Sequence, residues 1–226
     1  MVAEMAVATT DAIQALWSAL RASAARLALE VSASQTGALL GHLALLQRWN
    51  ATYNLSAVRD PQQMLTHHVV DCLGVIGPLR RQVGSGPLRV LDVGSGGGLP
   101  GIVIAILNPG MDVTCVDSVG KKAAFVRQAA GELRLPNLHS QHARVEQLKA
   151  EPFEVVTSRA FASLADFTRL TRRHLSDDGV WMAMKGRHPG DELAQLPADV
   201  GVFHVEQLDV PGLDAERCLV WMRPKP

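Results

Sequence analysis

The sequence predicts an α/β protein with a Rossmann-like parallel sheet, and three observations predict it. An apolar run at residues 88–93 stops in a glycine-rich turn, GSGGGLPG, and a helix-like segment follows. From there, strand-like and helix-like patterns alternate to about residue 186, and two strand-like segments with a short link close the chain. Alternation at these lengths implies βαβ units, whose ligands bind at the carboxyl ends of parallel strands.

The individual elements follow from local patterns. Residues 11 to about 50 have apolar side chains at helical spacing, with Ser34 expected to cap a second helix that ends near Trp49, and residues 62–76 continue the helical pattern. The segments VGVFHVEQLDV and ERCLVWMRP, separated by PGLDA, are expected to form a C-terminal antiparallel hairpin. The remaining expected elements are strands at 88–93, 111–117, 137–143, 153–159 and 179–186, and helices at 121–135 and 163–175.

Composition restricts the classes of protein that fit. A chain of 226 residues with 47% hydrophobic content can bury a full core. The formal net charge is zero, so a nucleic acid would have to bind a local cationic patch. Cys72, Cys115 and Cys218 are scattered without CxxC spacing, which favours reduced thiols in a cytoplasmic protein and gives no metal site. No apolar run approaches about 18 residues, so no membrane partner is expected.

The glycine-rich turn indicates a nucleotide-type site, and two ligands are considered. The spacing Gly96-x-Gly98-x-x-Gly101 formally matches the dinucleotide fingerprint. However, Asp92 and Gly94 begin the pattern D-x-G-x-G-x-G, which is typical of S-adenosylmethionine loops. A carboxylate there would repel a pyrophosphate but suits the ammonium and sulfonium groups of a zwitterionic cofactor. A third interpretation of these glycines is a purely structural turn that binds no ligand.

Five parallel strands and a terminal hairpin are the usual outline of a class I S-adenosylmethionine-dependent methyltransferase sheet. Here that sheet would carry an N-terminal helical extension. The cluster Gly84-Ser85-Gly86-Pro87 marks the expected boundary. We therefore expect a helical region, 1–84, packed on the core, and a methyltransferase domain, 85–226.

Acidic and apolar residues after the second and third strands suggest contacts to adenosine. Asp117 ends the second strand, where its carboxylate can accept both hydrogen bonds from a ribose diol, although an aspartate there can also merely cap the next helix. Val145 can cover the adenine ring, and Glu146 or the adjacent amides can read its edge. The alternative for this segment is a solvated helix start.

The end of the fourth strand carries Arg159 and Phe161 in place of the Asn- or Asp-Pro-Pro-aromatic motif that amine methyltransferases often have. A guanidinium only donates, so Arg159 can hold the cofactor carboxylate, a phosphate or the acceptor edge of guanine. Lys185 at the end of the fifth strand offers another cation at the same rim. His68 and Asp71 share a helix face and are interpreted as a hydrogen-bonded pair. The candidate phosphate-binding face comprises Lys121, Lys122, Arg127, Arg144, Arg159, Lys185 and Arg187.

Taken together, the motifs resemble one family. Trp49-Asn50, YNLSA, the His68-x-x-Asp71 helix, DVGSGGGLPGI, VDSVGKKAAFVR, ARVEQL, SRAFASL and MKG occur in the order and spacing of the RsmG (GidB) family of bacterial 16S rRNA guanine-N7 methyltransferases. The resemblance runs from about residue 40 to 186. It implies S-adenosylmethionine as cofactor, S-adenosylhomocysteine as product, and methylation of the guanine at position 527. The cofactor contacts that it implies are Gly94, Leu99, Val145, Glu146 and Arg159, to which the loop-by-loop interpretation adds Gly96 and Asp117.

The implied reaction needs little acid–base chemistry. Guanine N7 carries a lone pair and no proton, so no catalytic residue is assigned as a general base, and Arg159 and Lys185 are candidates for positioning. The expected partner is 16S rRNA, either naked or in the 30S subunit, and the protein is expected to be a monomer. Two other classes stay open: a dinucleotide-dependent oxidoreductase, and a non-catalytic RNA-binding module with a relic pocket.

Overall fold

A computed structural model describes residues 2–159, 161 and 163–225. Ala160 and Ala162, which belong to the predicted loop after the fourth strand, lie outside the described residues. Seven strands form one sheet in the order β3-β2-β1-β4-β5-β7-β6. The strands are β1 (Arg89–Val93), β2 (Asp112–Asp117), β3 (Leu138–His142), β4 (Phe153–Ser158), β5 (Leu175–Lys185), β6 (Val200–Leu208) and β7 (Arg217–Pro224).

Helices precede the sheet and connect its strands. Two of them are long, α1 (Val2–Arg26) and α2 (Ala33–Tyr53). The other α-helices are α3 (Pro61–Met64), α4 (Asp71–Leu73), α5 (Ile76–Val83), α6 (Gly101–Leu107), α7 (Gly120–Glu132), α8 (Leu164–Thr171) and α9 (Gly190–Ala194). A π-helical segment, Leu65–Val70, joins α3 to α4, and two 3₁₀ turns occupy Val145–Gln147 and Arg172–His174.

The strand directions confirm the predicted class of fold. Strands β1 to β5 pair in parallel, so the carboxyl ends of β1, β2, β4 and β5 lie along one edge of the sheet. Strand β7 is antiparallel to both β5 and β6, which confirms the C-terminal hairpin and inserts its second strand into the sheet. The site predicted from the loops therefore belongs to one edge of this sheet.

The core covers both faces of the sheet. Along β1, Val90 belongs to one hydrophobic cluster, whereas Leu91 and Val93 belong to a second one, as the alternation of side chains along a strand requires. The first cluster also contains Leu39 and Leu43 of α2. The N-terminal helices thus share a core with the sheet, and the division at residue 84 stays a prediction.

Two local predictions were wrong. The helix α2 is capped by Ser32 and not by Ser34, because Ser32 and Gln35 form a reciprocal capping box. The predicted helix at 62–76 is interrupted by its π-helical segment. The positions of the carbonyls and side chains in this segment matter for the site, since it contains His67 and His68 and is directly followed by Asp71.

Candidate active site

The glycine loop between β1 and α6 turns back on the neighbouring strand. The amides of Gly94 and Ser95 both donate to the carbonyl of Val116, at 2.9 and 3.3 Å. Gly94 has a φ of +66°, and a Cβ built there would meet no protein atom within 4 Å. The side of Gly94 that a side chain would occupy is therefore open, as a site for a closely approaching ligand requires.

Asp92 is completely buried beneath this loop and holds the start of α6. Its Oδ2 accepts from the amide of Gly101 at 2.8 Å, and a Cβ at Gly101 would lie 2.9 Å from the same oxygen. Burial raises the pKa of Asp92 to about 7, against the opposing effect of the Gly101 amide. The sequence-based idea that this carboxylate meets cationic groups of a cofactor needs correction, since a group without exposure can reach a ligand only through its electric field.

Asp117 organises the loop and caps the next helix. Its Oδ2 accepts from the amide of Gly96 at 3.0 Å, and its Oδ1 accepts from the amide of Val119 at 2.8 Å. The side chain is 6% exposed, with the ammonium of Lys122 4.0 Å from Oδ2. Both alternatives raised for Asp117 therefore have a structural basis, because capping uses one lone pair of each oxygen and leaves another for a ligand hydroxyl.

A cavity of about 220 Å³ brings several predicted residues together at the carboxyl edge of the sheet. Gly94, Asp117, Val145 and Glu146 line it, with Phe161. The remaining three predicted contacts lie elsewhere. Gly96 is joined to this group by its bond to Asp117, Leu99 is buried in the core, and Arg159 lines a second cavity.

His174 holds one of the residues that line this cavity, Val145. Its Nε2 lies 2.7 Å from the carbonyl of Val145 and donates to it, and burial lowers the pKa of the imidazole. Sequence reasoning missed His174, which lies 29 residues further along the chain.

A second cavity of about 440 Å³ lies along the same edge and contains an ion cluster around one buried carboxylate. The side chain of Asp71 is 2% exposed. Its Oδ1 accepts from Nε of Arg217 at 2.8 Å, and its Oδ2 lies 3.4 Å from Nη1 of Arg159, which also donates to the carbonyl of His67 at 3.0 Å. Arg159 and Lys185, the two predicted positioning residues, both line this second cavity.

The predicted pair of His68 and Asp71 is not formed. His68 Nε2 is instead hydrogen-bonded to Ser56 Oγ at 2.7 Å, and Ser56 Oγ accepts from the amide of Val58. Two arginines take the carboxylate because charge-assisted bonds to guanidinium are stronger than a bond to a neutral imidazole. Burial, together with the charge of Arg159, lowers the pKa of His68 to about 4 and keeps the ring neutral.

Lys185 is held at the rim between the two cavities. Its Nζ is 2.8 Å from Oε2 and 3.0 Å from Oε1 of Glu192, and 3.5 Å from the carbonyl of Phe161. Phe161 lines the first cavity and Lys185 lines the second. The two cavities therefore adjoin at this contact.

The helix α2 reaches the glycine loop through His42. The imidazole is buried, its Nε2 lies 2.9 Å from the carbonyl of Gly97, and its ring lies 5.9 Å from that of Phe125. Burial lowers the pKa of His42 to about 4, so the neutral ring donates from Nε2. An isolated histidine in an apolar helix gave no sequence signal for this contact.

The predicted cationic face is only partly assembled. Lys121 Nζ donates to the carbonyl of Tyr53 at 3.0 Å, Lys122 faces Asp117, and Arg144 lines the first cavity.

Within the described part of the chain, no group of three or more His, Cys, Asp or Glu side chains could hold a metal ion. The same part contains no helix with the length and apolarity to span a membrane.

Solved structures identify the class of fold. A SAM-dependent methyltransferase from Aquifex aeolicus matches with a TM-score of 0.54 at 13% identity, covering 72% of this chain and 98% of that one. TrmN from Thermus thermophilus matches with a TM-score of 0.53 at 20% identity, covering 68% of this chain and 48% of that one. The fold is that of the class I S-adenosylmethionine-dependent methyltransferases.

Sequence comparison identifies the family within that class. The chain belongs to the GidB family, rRNA small subunit methyltransferase G, whose model matches residues 35–220. The ribosomal RNA small subunit methyltransferase G of Leptothrix cholodnii is 62% identical over 206 residues, covering 91% of this chain and 94% of the relative. That of Methylibium petroleiphilum is 57% identical over 221 residues, covering 98% and 100%.

Proposed function

We propose that the protein transfers the methyl group of S-adenosylmethionine to N7 of the guanine at position 527 of 16S rRNA and releases S-adenosylhomocysteine. One observation carries the proposal: the family match over residues 35–220 contains every residue that lines the two cavities. Relatives at 62% and 57% identity are named for methylation of small-subunit rRNA. Such a substrate would be met in the cytoplasm.

The first cavity has the chemistry that the adenosine part of this cofactor requires. The open side of Gly94 admits a ligand against the backbone. Asp117 keeps free lone pairs for a ribose diol, while Val145 offers an apolar surface and Glu146 a polar edge for adenine. The Asp117 carboxylate suits the ribose diol of either cofactor and disfavours only a 2′-phosphate, so S-adenosylmethionine is proposed in preference to a dinucleotide because the family match is to a methyltransferase.

The chain's own contribution to the reaction is positioning. Bound S-adenosylmethionine supplies an electrophilic methyl group on sulfur. Guanine N7 offers a lone pair without a proton, so no side chain has to act as a base, and in-line alignment of nitrogen, methyl and sulfur lowers the barrier. Arg159 and Lys185 are the proposed positioning residues, because both line the cavity next to the one assigned to adenosine.

Methyl transfer to unmethylated 30S subunits and to naked 16S rRNA tests the function. The assay uses radiolabelled S-adenosylmethionine, and the modified base is mapped by mass spectrometry of nuclease fragments. We expect label on N7 of guanine 527 in at least one substrate. Absence of label from both, or label at another nucleotide, would contradict the proposal.

Gly94→Val tests the cofactor site separately from RNA. The valine side chain would fill the open space above Gly94, so binding of S-adenosylhomocysteine in calorimetry should be lost. Gly84→Val is the matched control, because Gly84 also has positive φ, +79° against +66°, and open space around it, but lies outside the cavity. If the Gly94→Val variant bound S-adenosylhomocysteine as tightly as the Gly84→Val variant, the assignment of this site would be refuted. Binding of NAD by the wild type would refute it as well.

A further inference from the structure

A series of aromatic rings leads from the core to the surface at the end of α2. Phe125 is fully buried, and the ring of Trp49 lies 5.6 Å from it at an angle of 76°. The ring of Tyr53 lies 5.0 Å from that of Trp49, and Tyr53 is 43% exposed. Because Tyr53 is the last ring of the series, it offers a surface, backed by the core, on which one more planar ring can stack.

The segment that follows Tyr53 lies beside the candidate active site. The carbonyl of Tyr53 accepts from Nζ of Lys121 at 3.0 Å. The next residue of α7, Lys122, lies 4.0 Å from Asp117, which lines the first cavity. Five residues after Tyr53, Val58 lines the second cavity. The segment 53–58 therefore runs from the neighbourhood of one cavity to the wall of the other.

Hydrogen bonds hold this segment in place. Oδ1 of Asn50 accepts from the amide of Ser56 at 2.8 Å, and Nδ2 of Asn50 donates to the carbonyl of Val58 at 3.3 Å. Ser56 is in turn bonded to His68. A surface that is already ordered binds a ligand without the cost of ordering a loop.

Two exposed cations flank the ring of Tyr53. Arg59 donates to the side-chain oxygen of Asn54 at 2.8 Å, and Lys121 donates to the carbonyl of Tyr53. Both acceptors are neutral, and in the part of the chain that the structure describes no carboxylate pairs with either cation. These charges favour a polyanion over an uncharged apolar partner, although the chain as a whole has no net charge.

We propose that Tyr53 stacks on an unpaired base of the RNA next to the target guanine, with Arg59 and Lys121 beside the phosphates of that strand. The inference rests on the proposed function and identifies a contact for the RNA outside the two cavities. Proteins commonly bind single-stranded RNA through aromatic rings that stack on bases and cations that follow the backbone.

The reaction explains why an unpaired base is the occupant. Guanine N7 faces the major groove, which is deep and narrow in a double-stranded RNA helix, so the enzyme needs the target guanine outside such a helix. A base taken out of its stack leaves its neighbour with an uncovered face. The ring of Tyr53, beside the site, can cover that face.

Tyr53→Ala tests the proposal, with binding to unmethylated 30S subunits measured in saturating S-adenosylhomocysteine at several salt concentrations. Binding should weaken roughly fivefold to a hundredfold. The slope of log K against log salt should stay the same, because a stacked ring carries no charge. Tyr53→Phe keeps the ring and should bind like the wild type.

Phe203→Ala is the matched control. Phe203 is likewise an exposed aromatic residue, 37% against 43%, and its ring packs on a tryptophan, Trp221, at 6.5 Å. It belongs to β6 and lines neither cavity, so its removal should leave binding to 30S subunits unchanged.

Photochemical crosslinking identifies what the ring contacts. Tyr53 is replaced by the photoreactive amino acid p-azidophenylalanine, the complex with 30S subunits is irradiated, and the crosslink is mapped by reverse transcription of the 16S rRNA. We expect a crosslink at a nucleotide adjacent to guanine 527. The same replacement at Phe203 should give no crosslink there.

Several outcomes would overturn the inference and leave the function standing. These are wild-type binding by Tyr53→Ala, a crosslink to a ribosomal protein, or an equal loss of binding in Tyr53→Phe, which would indicate a contact through the hydroxyl. Weaker binding of S-adenosylhomocysteine by Tyr53→Ala would assign the ring to the cofactor. Failure of the proposed function differs from all of these, since the wild type would then methylate neither 30S subunits nor 16S rRNA.

Discussion

At the scale of single residues, Asp117 shows how one carboxylate can serve both the fold and a ligand. Its two oxygens accept the amides of Gly96 and Val119. In Asp117→Asn, one of these amides must face the new NH₂ group, and a ribose hydroxyl loses a charged acceptor. We expect S-adenosylhomocysteine to bind more weakly by about 1–3 kcal/mol, measured by calorimetry.

The matched control for this prediction lies at the other end of the same strand. Asp112→Asn removes a carboxylate that is 48% exposed and pairs with His139, far along β2 from the cavity. It should leave the affinity unchanged. If Asp117→Asn also bound S-adenosylhomocysteine like the wild type, Asp117 would be a helix cap only.

The residues that could be predicted for the site are those that a local motif contains. Gly94 and Asp117 each end a recognisable strand, and the structure brings both to the first cavity. The cluster around Asp71 could not be predicted in this way, since Arg159 lies 88 residues and Arg217 146 residues along the chain from it. A pattern in the sequence does not show which distant cation will contact a buried carboxylate. The nearby His68 therefore looked like the partner.

At the scale of elements, hydrophobic pattern predicted the strands well and the helix ends less well. The alternation of strand-like and helix-like patterns predicted β1 to β5, and the short link before β7 predicted the hairpin. Helix ends depend on individual hydrogen bonds, so the capping box of Ser32 and Gln35 and the π-helical segment Leu65–Val70 were missed. That segment carries both His68 and the carbonyl of His67, which makes an irregular helix part of the candidate site.

The start of α6 allows a prediction about packing. At Gly101, a Cβ would overlap Sγ of Cys115 and lie 2.9 Å from Oδ2 of Asp92. Gly101→Ala should therefore lower the free energy of unfolding by roughly 1–3 kcal/mol, as overpacking typically does. Urea denaturation measures this change.

A second glycine-to-alanine substitution provides the comparison. Gly131 lies in α7, and its Cβ would meet nothing within 4 Å. Gly131→Ala should be neutral or stabilise the protein by about 0.5–1 kcal/mol through the lower entropy of the unfolded chain. A Gly101→Ala protein as stable as the wild type would show that α6 can shift away from β1 at little cost.

At the scale of the whole molecule, four buried titratable groups link stability to pH: His42, His68, His174 and Asp92. His42 and His68 have folded pKa values of about 4 against 6.5, so between pH 4 and 6.5 each binds a proton in the unfolded state that the folded state excludes. Asp92 has a folded pKa of about 7 against 3.8, so over that range it binds a proton in the folded state that the unfolded state releases. These two imidazoles against one carboxyl leave a net uptake of one proton on unfolding between pH 4 and 6.5, and His174, whose pKa is also lowered by burial, adds to that uptake below pH 6.5.

The predicted consequence is a maximum of stability near pH 6.5. Below it, a net uptake of at least one proton corresponds to a loss of at least about 1.4 kcal/mol for each unit that the pH falls toward 4. Above it, Asp92 alone gives a small loss up to pH 7, as its carboxyl ionises in a buried site. Urea denaturation across pH 4–7 measures the profile.

His42→Gln separates these contributions. The glutamine amide can still donate to the carbonyl of Gly97, but it cannot take up a proton when the chain unfolds. The variant should therefore lose stability toward pH 4 less steeply than the wild type, because His68 and Asp92 then oppose one another and only the proton uptake of His174 remains. His188→Gln, which alters an exposed histidine, is the control and should keep the wild-type profile. If His42→Gln lost stability toward pH 4 as steeply as the wild type, the contact between α2 and the glycine loop would not depend on a neutral, buried imidazole.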